Sequence, residues 1–502
     1  MDNLRSRIDR RKIINVASAG LAAMTLAPHL ALGADASAQR RNVLFIAVDD
    51  LRTELGCYGV QRVSSPNIDR LAARGILFER AYCQQALCAP SRSSLLTGCR
   101  PDTTRVYDLS THFRKAIPNV VTLPQHFKDN GYYTQAFGKI YHGGLEDPRS
   151  WSVPTWTADK MGWYQLPENR RMVEGPVGGL KDDDEKVAAV QHVIRHGPPV
   201  ECADVPDNAY ADGIVADKAI AALQEARDKS SPFFLAVGFY RPHLPFAAPK
   251  KYWDLYKPEE LRLASNPNPP RDYPPVAGTD WEELRKFNGM PQKGKLSDDQ
   301  ARTLIHGYLA SVSYVDAQVG RVVGELDRLG LASNTVIVLW GDHGWKLGEH
   351  GMWCKHTNFE LDTHAPLICA VPGQAGGRRC QALVEFVDVY PSLCDFCGLG
   401  KPASLEGTSF APLLQDPART WKTAAFSQHP HYQVMGYSMR TDRWRYTEWR
   451  KPNGSVMATE LYDQQADPQE NVCLAKRPED AALIRQLAAQ LQAGWKAAQP
   501  QE

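Results

Sequence analysis

The chain has 502 residues, too many for one small core, and 43% hydrophobic with 23% charged residues excludes a disordered chain. A formal net charge of +1 gives no basic footprint for nucleic acid. An anionic substrate would therefore have to meet positive charge gathered locally at its site.

Residues 1–38 read as an export signal. Arg5, Arg7, Arg10, Arg11 and Lys12 make a basic start, Ile13 to Leu32 is apolar and alanine-rich, and Ala36-Ser37-Ala38 offers a small-residue cleavage site. Arg10-Arg11 also fits a twin-arginine signal. A membrane anchor is the competing reading, and the small residues and Pro28 argue against it. No other stretch is long and apolar enough to span a bilayer, so the expectation is an exported, periplasmic or secreted bacterial protein without a stable membrane span.

Residues 42–50, NVLFIAVDD, form a continuous apolar run ending in Asp49 and Asp50. Such a run predicts a parallel strand buried on both faces, and in open α/β sheets ligands gather beyond the carboxyl ends of such strands. Paired aspartates that merely end a strand are the alternative. A helix is predicted from Pro66. In the stretch 83–100, Cys88 precedes Ala89-Pro90-Ser91-Arg92 and a helix-like run through Leu96-Thr97-Gly98. Proline is tolerated in the first helical turn, so Cys88 is placed at a helix N-terminus, where free amides favour an anion. Arg92 adds a planar cationic fork suited to a tetrahedral oxyanion. A buried structural cysteine beside a turn is the other reading.

A helix from Thr122 and a strand over 132–138 lead into Gly138-Lys139-Ile140-Tyr141-His142. Residues 145–210 are irregular and rich in Trp, Pro and Gly, as functional loops often are. A helix over 211–229 and a strand over 233–240 end in Arg241-Pro242-His243-Leu244-Pro245. Residues 251–296 read as a surface excursion, and 297–329 as a helix started by Ser297. Residues 335–344, TVIVLWGDHG, repeat the first design: an apolar strand ending in Asp342 and His343. Three carboxylates and an imidazole from two strand ends can converge on one cation, and oxygen-rich donors suit Ca²⁺ or Mg²⁺ better than zinc. Cys394 and Cys397 form a C-x-x-C inside an apolar helix-like run, where core packing or a local disulfide explains them better than zinc. From about residue 418 short strands replace this pattern, followed by a helix over 481–498 with Asp480 as its expected cap.

Cys88-Ala89-Pro90-Ser91-Arg92 with Leu96-Thr97-Gly98 resembles the signature of the type I sulfatases, whose cysteine is oxidised to Cα-formylglycine. The resemblance extends from Asn42 to the C-terminal region. Trp345 to Phe359 is most similar to the iduronate-2-sulfatase branch and its bacterial relatives. It implies an α/β, alkaline-phosphatase-like fold: a large, mostly parallel sheet flanked by helices, plus a smaller antiparallel sheet with a helix. The corresponding division is 1–38 export signal, 39–417 catalytic domain and 418–502 C-terminal subdomain. It implies a divalent ion, Ca²⁺ or else Mg²⁺, bound by Asp49, Asp50, Asp342, His343 and the modified Cys88. The implied catalytic set is Cys88, Arg92, Lys139, His142, His243 and Lys355, with His243 protonating the leaving alcohol and His142 acting as base. The implied partners are a sulfated saccharide, such as a glycosaminoglycan, and a formylglycine-generating or other sulfatase-maturing enzyme. Trp345, Trp353 and His356 are either sugar contacts or plain packing. Arg241 stands where the human-type pattern of this branch has lysine. Phosphoester or phosphonate hydrolysis, and a sulfated-glycan binder without catalysis, are the rival readings.

Overall fold

The computed structural model describes residues 40–158, 163–174 and 197–500; the export-signal reading and part of the 145–210 stretch lie outside the described residues. Seven strands form the central sheet: β1 (Asn42–Val48), β2 (Ile76–Phe78), β3 (Tyr133–Gly138), β4 (Phe233–Phe239), β5 (Thr335–Gly341), β6 (Leu367–Ala370) and β7 (Arg378–Cys380). Their order is β7-β2-β6-β5-β1-β4-β3. The four strands β5, β1, β4 and β3 run parallel, and β6 runs antiparallel to both β5 and β2.

Strand β1 shows why its sequence is an unbroken apolar run. Leu44, Ile46 and Val48 enter one core, while Val43, Phe45 and Ala47 enter the core on the opposite face. Alternate side chains point to opposite faces, and helices cover both, so no position is left for a polar residue. One face is covered largely by α3 (Asp298–Arg328) and α2 (Ala211–Arg227). Helix α3 starts as its sequence predicts: Ser297 Oγ accepts from Gln300 N at 3.2 Å and Gln300 Oε1 accepts from Ser297 N at 3.0 Å, a reciprocal cap. The other face carries α1 (Cys88–Thr97), every residue of which is buried.

Beyond this lies a four-stranded antiparallel meander: β8 (Ala425–His431), β9 (Val434–Arg440), β10 (Trp444–Arg450) and β11 (Val456–Asp463). Helix α4 (Ala481–Ala497) packs Leu487 and Leu491 against Met439, Tyr446 and Leu461 of that sheet. Asp480 makes no side-chain cap here, because a 3₁₀ turn over Pro478–Asp480 leads directly into the helix. The meander is tied to the rest by buried charge: Arg440 Nε lies 3.1 Å from Glu360 Oε2, and Arg445 bridges Glu360 and Glu470. All cysteines are free thiols, so Cys394 and Cys397 are core packing and not a disulfide. No helix among the described residues is long and apolar enough to cross a membrane.

Strands β3 and β4 meet at a glycine pair, Gly138 beside Gly238. Gly138 has φ +74°, and a Cβ there would sit 2.0 Å from the Gly238 carbonyl oxygen. Left-handed backbone and a hard contact with main chain together cost about 2–5 kcal/mol. Gly138→Ala is expected to lose stability of that order in denaturant unfolding, and Lys139, next in the chain, to lose its position.

Candidate active site

Strand register brings the chemistry together. Val48 pairs with both Gly341 and Phe239, and Gly138 pairs with Gly238, so four parallel strands end at one level. Asp49-Asp50, Asp342-His343, Lys139 to His142 and Arg241 to His243 therefore emerge side by side. Pairing continues just past the ends, with Asp49 N donating to Phe239 O at 3.1 Å and Asp342 N to Val48 O at 3.3 Å. Asp50 then turns into left-handed backbone at φ +57°, held by its N–H donating to Asp342 Oδ1 at 2.9 Å. Such a strained residue persists only where its surroundings over-determine it.

Helix α1 delivers Cys88 to the same point. Its Sγ lies 3.4 Å from His343 Nε2 and 3.9 Å from Asp50 Oδ1. The helix starts at Cys88 as expected, with Pro90 in its first turn. Burial and the Asp49 charge push the Cys88 thiol well above its ordinary pKa.

Arg92 is completely buried. Its Nε donates to Asp342 Oδ2 at 2.9 Å, its Nη2 to Asp49 Oδ1 at 3.0 Å, and its Nη1 to the carbonyls of Lys139 and Ile140. The fork expected to face an oxyanion instead clamps two carboxylates. Lys139 Nζ donates to Asp49 Oδ2 at 2.5 Å. Burial alone would raise Asp49, but Lys139 and Arg92 outweigh it and hold the carboxyl well below its usual range. Lys355 reaches Asp50 with Nζ 2.9 Å from Oδ2 and 3.0 Å from Oδ1. For Asp50 burial wins over Lys355 and His243, and its pKa is raised.

Ligand atoms of Asp50, Cys88, Asp342 and His343 all lie within 4.8 Å of one another, and so do those of Asp49, Asp50, Cys88 and His243. Oxygen ligands on opposite sides of a Ca²⁺ ion stand about 5 Å apart, so the first set fits such an ion in spacing; Asp50 and Asp342 supply its hard oxygen donors, and Cys88 would add another only once its sulfur is replaced by a formylglycine oxygen. His343 Nδ1 donates to Gly344 O at 3.0 Å, which leaves the Nε2 lone pair facing the cluster, the arrangement of a metal-binding imidazole. His243 is committed elsewhere. Its Nδ1 donates to Leu244 O at 2.6 Å, and its Nε2 stands 2.9 Å from Glu283 Oε1. With an acceptor at each nitrogen the imidazolium is well satisfied. Burial lowers its pKa, but Asp50 and Glu283 offset this and the net shift is upward. His142 shows the opposite balance: burial and Lys139 hold it down at about 3, and its Nδ1 is buried without a partner.

Glu283 is the residue that sequence reading missed. It sits in a four-residue helix, Glu282–Arg285, inside the 251–296 stretch that reads as surface. Its carboxylate bridges His243 and Lys355, 2.9 Å from each. Nothing in Trp281-Glu282-Glu283-Leu284-Arg285 distinguishes it from an ordinary amphipathic turn. Trp345 and Trp353 are buried core residues and not an open sugar platform; Lys355 Nζ lies 4.8 Å over the Trp345 ring. His356 is half-buried beside them, with its ring centroid 6.3 Å from that of His429.

Known proteins resemble this chain in sequence and in fold. The family model described as Sulfatase matches residues 41–399, and one described as N-sulphoglucosamine sulphohydrolase, C-terminal, matches residues 348–497. The chain is similar to iduronate 2-sulfatase of Homo sapiens, with 37% identity over 524 aligned positions covering 88% of this chain and 92% of the relative. Among solved structures, a protein in complex with its substrate D-glucosamine-2-N,6-O-disulfate superposes with a TM-score of 0.71 at 24% identity, covering 91% of this chain and 98% of that one. The phosphonate monoester hydrolase from Silicibacter pomeroyi gives 0.71 at 22% identity, covering 91% and 96%.

Proposed function

The chain belongs to the sulfatase family, and from that premise we propose that it removes sulfate from a saccharide through Cys88 matured to Cα-formylglycine, beside a divalent cation held by Asp49, Asp50, Asp342 and His343. It is a sulfuric ester hydrolase with the alkaline-phosphatase-like sulfatase fold. The observation that carries the site reading is the meeting of Cys88 with Asp50, Asp342 and His343 at the ends of two parallel strands.

The residues Asp49, Asp50, Asp342 and His343 would hold a hard cation, Ca²⁺ or Mg²⁺, which would supply Lewis-acid stabilisation of sulfate charge and a lowered pKa for the attacking hydroxyl. Matured to formylglycine and hydrated, Cys88 would offer two hydroxyls on one carbon, one able to attack sulfur as the S–O bond to the leaving alcohol breaks, the other able to lose its proton so that sulfate departs and the aldehyde returns. The remaining work falls to side chains. Arg92 holds Asp49 and Asp342 in place. Lys139 and Lys355 keep ammonium groups beside the carboxylates and balance sulfate charge. His243 carries the proton for the leaving alcohol, and neutral His142 accepts one from the second hydroxyl. Glu283 orients His243 and Lys355 together.

Cys88 is only 1% exposed, which supports a maturing enzyme that reaches it before the chain closes. The export-signal reading places the finished enzyme outside the cytoplasm, in the periplasm or medium. Phosphoester or phosphonate hydrolysis is the second reading, favoured by the phosphonate hydrolase likeness; 37% identity to iduronate 2-sulfatase favours sulfate. The deciding experiment is a mass spectrum of the Cys88 peptide from active protein, together with turnover of sulfated and phosphorylated monosaccharides. Formylglycine with preferential sulfate release supports the proposal; a thiol in active protein, or faster phosphate release, overturns it. Dialysis against a chelator is expected to abolish turnover, and Ca²⁺ or Mg²⁺ to restore it.

Glu283→Gln keeps shape but removes the charge shared by His243 and Lys355. We expect kcat to fall about 10–100-fold with little change in KM, and the alkaline limb of the pH–rate profile to move to lower pH, because Glu283 helps hold the His243 imidazolium protonated. A uniform loss of folded protein with an unchanged profile would assign Glu283 a structural role only.

A further inference from the structure

The loop after β4, Tyr240 to Pro245, carries His243 between that strand and the short strand Phe246–Pro249. Pro242 and Pro245 have no N–H to offer, yet the buried main chain still needs partners. Tyr240 O accepts from His243 N at 3.0 Å, Leu244 O from His243 Nδ1 at 2.6 Å, and Pro245 O from Ala247 N at 2.8 Å. The His243 carbonyl is met by a side chain. Arg241 Nη1 donates to it at 3.0 Å, and Arg241 Nε donates to Ala247 O on the following strand at 3.1 Å. On the other flank Asp212, in the first turn of α2, accepts from Tyr240 N at 2.7 Å and from Arg241 N at 3.0 Å. Arg241 is 3% exposed and Asp212 1%. Buried charge is costly even when hydrogen-bonded, so two charged groups placed on the main chain of one loop call for a reason.

The reason lies at the far side of the imidazole. His243 Nε2 stands 2.9 Å from Glu283 Oε1 and 3.8 Å from Asp50 Oδ2, facing the site. We propose that Arg241 and Asp212 are positioning residues for the proton donor: they fix the main chain on both sides of His243, so that Nε2 meets the oxygen of the leaving alcohol, and they act on the substrate only through that ring. The proposal rests on the reading of His243 as the proton donor. A guanidinium suits the task, because its donors diverge across a rigid plane and one side chain can tie the loop to the strand that follows it. Lysine, the residue of the human-type pattern at this position, has a compact ammonium in place of that fork. Without the tie the ring is free to drift, and misplacement by about an ångström costs about 100-fold in rate. The loss depends on the leaving group. As the S–O bond breaks, its electron pair stays on the alcohol oxygen, and a sugar alkoxide must take the Nε2 proton; an acidic phenol departs as its anion without one.

The test uses the matured, metal-loaded full chain with Arg241→Met, which keeps length and removes every donor, and Arg241→Lys, which keeps the charge. Kinetics are measured on a sulfated monosaccharide and on para-nitrophenyl sulfate. We expect Arg241→Met to lower kcat on the saccharide about 100-fold and on the aryl ester by less than about threefold. Arg241→Lys should lose about tenfold on the saccharide alone, the scale of one hydrogen bond, and it carries the test if the methionine variant does not fold. Equal losses on both esters, or none on the saccharide, would overturn the proposal. NMR of isotope-labelled histidine reads the ring without turnover. The His243 signal, identified by its absence in His243→Gln, should move in Arg241→Met and return toward its wild-type place in Arg241→Lys, while the His343 signal stays; an unmoved His243 signal also overturns the proposal. Equal losses on both esters in His243→Gln would instead count against His243 as proton donor, and failure of wild type to hydrolyse either ester against the sulfatase reading; in both cases the spectra still decide whether Arg241 places the ring.

Discussion

Cys88→Ala is expected to leave a folded protein whose sulfate release falls by about 10⁴–10⁶-fold, the scale seen when a covalent nucleophile is removed. The two halves of that expectation come from different parts of the site. The Cys88 Sγ makes only long contacts, 3.4 Å to His343 and 3.9 Å to Asp50, so its loss breaks no strong hydrogen bond. Removing one sulfur from a packed position costs about 1 kcal/mol, and helix α1 keeps its other buried residues. A merely structural cysteine would behave in reverse, with a large loss of stability and a proportionate loss of activity. Measuring the unfolding free energy and sulfate release on the same preparation separates the two. Unimpaired turnover by Cys88→Ala would remove the formylglycine mechanism altogether.

Arg92→Met should show the largest loss of stability, about 3–5 kcal/mol, because it leaves buried charge uncompensated. Arg92 spans Asp49, Asp342 and two carbonyls from a position with no exposure to solvent. Methionine fills the volume but leaves Asp342 without its cation and both carbonyls unpaired. Arg92→Lys should recover less than half of the loss, since a single ammonium cannot reproduce a fork directed at four acceptors. Activity should fall with stability in both variants, because the clamped carboxylates are the ones proposed to hold the cation. Denaturant unfolding, with metal content measured after gel filtration, checks both outcomes. A stable Arg92→Met protein that retains its metal would show that Asp49 and Asp342 need no clamp.

Much of the site could be read from local pattern. A parallel strand covered on both faces must be apolar at every position, so Asn42–Val48 and Thr335–Gly341 announce themselves, and the acids that follow each run stand out. Pro90 and the helix-like residues after it place Cys88 at a helix start. These features are encoded within ten residues of one another, and short-range sterics and burial are enough to specify them.

The remainder depended on contacts between segments far apart in the chain. That Val48 stands level with Gly341 and Phe239, so that Asp49, Asp50, Asp342 and His243 converge, is a matter of strand register, set by how whole helices pack across the sheet. Arg92 clamps carboxylates because helix α1 is buried on all sides, which no feature of CAPSR reveals. Glu283 joins His243 and Lys355 from a stretch without periodicity, and Trp345 turns inward to pack against Phe246. Sequence by itself determined the elements and the chemical character of their ends; only the tertiary structure decided which ends share one pocket, because that choice is made by long-range packing, for which a local sequence carries no period.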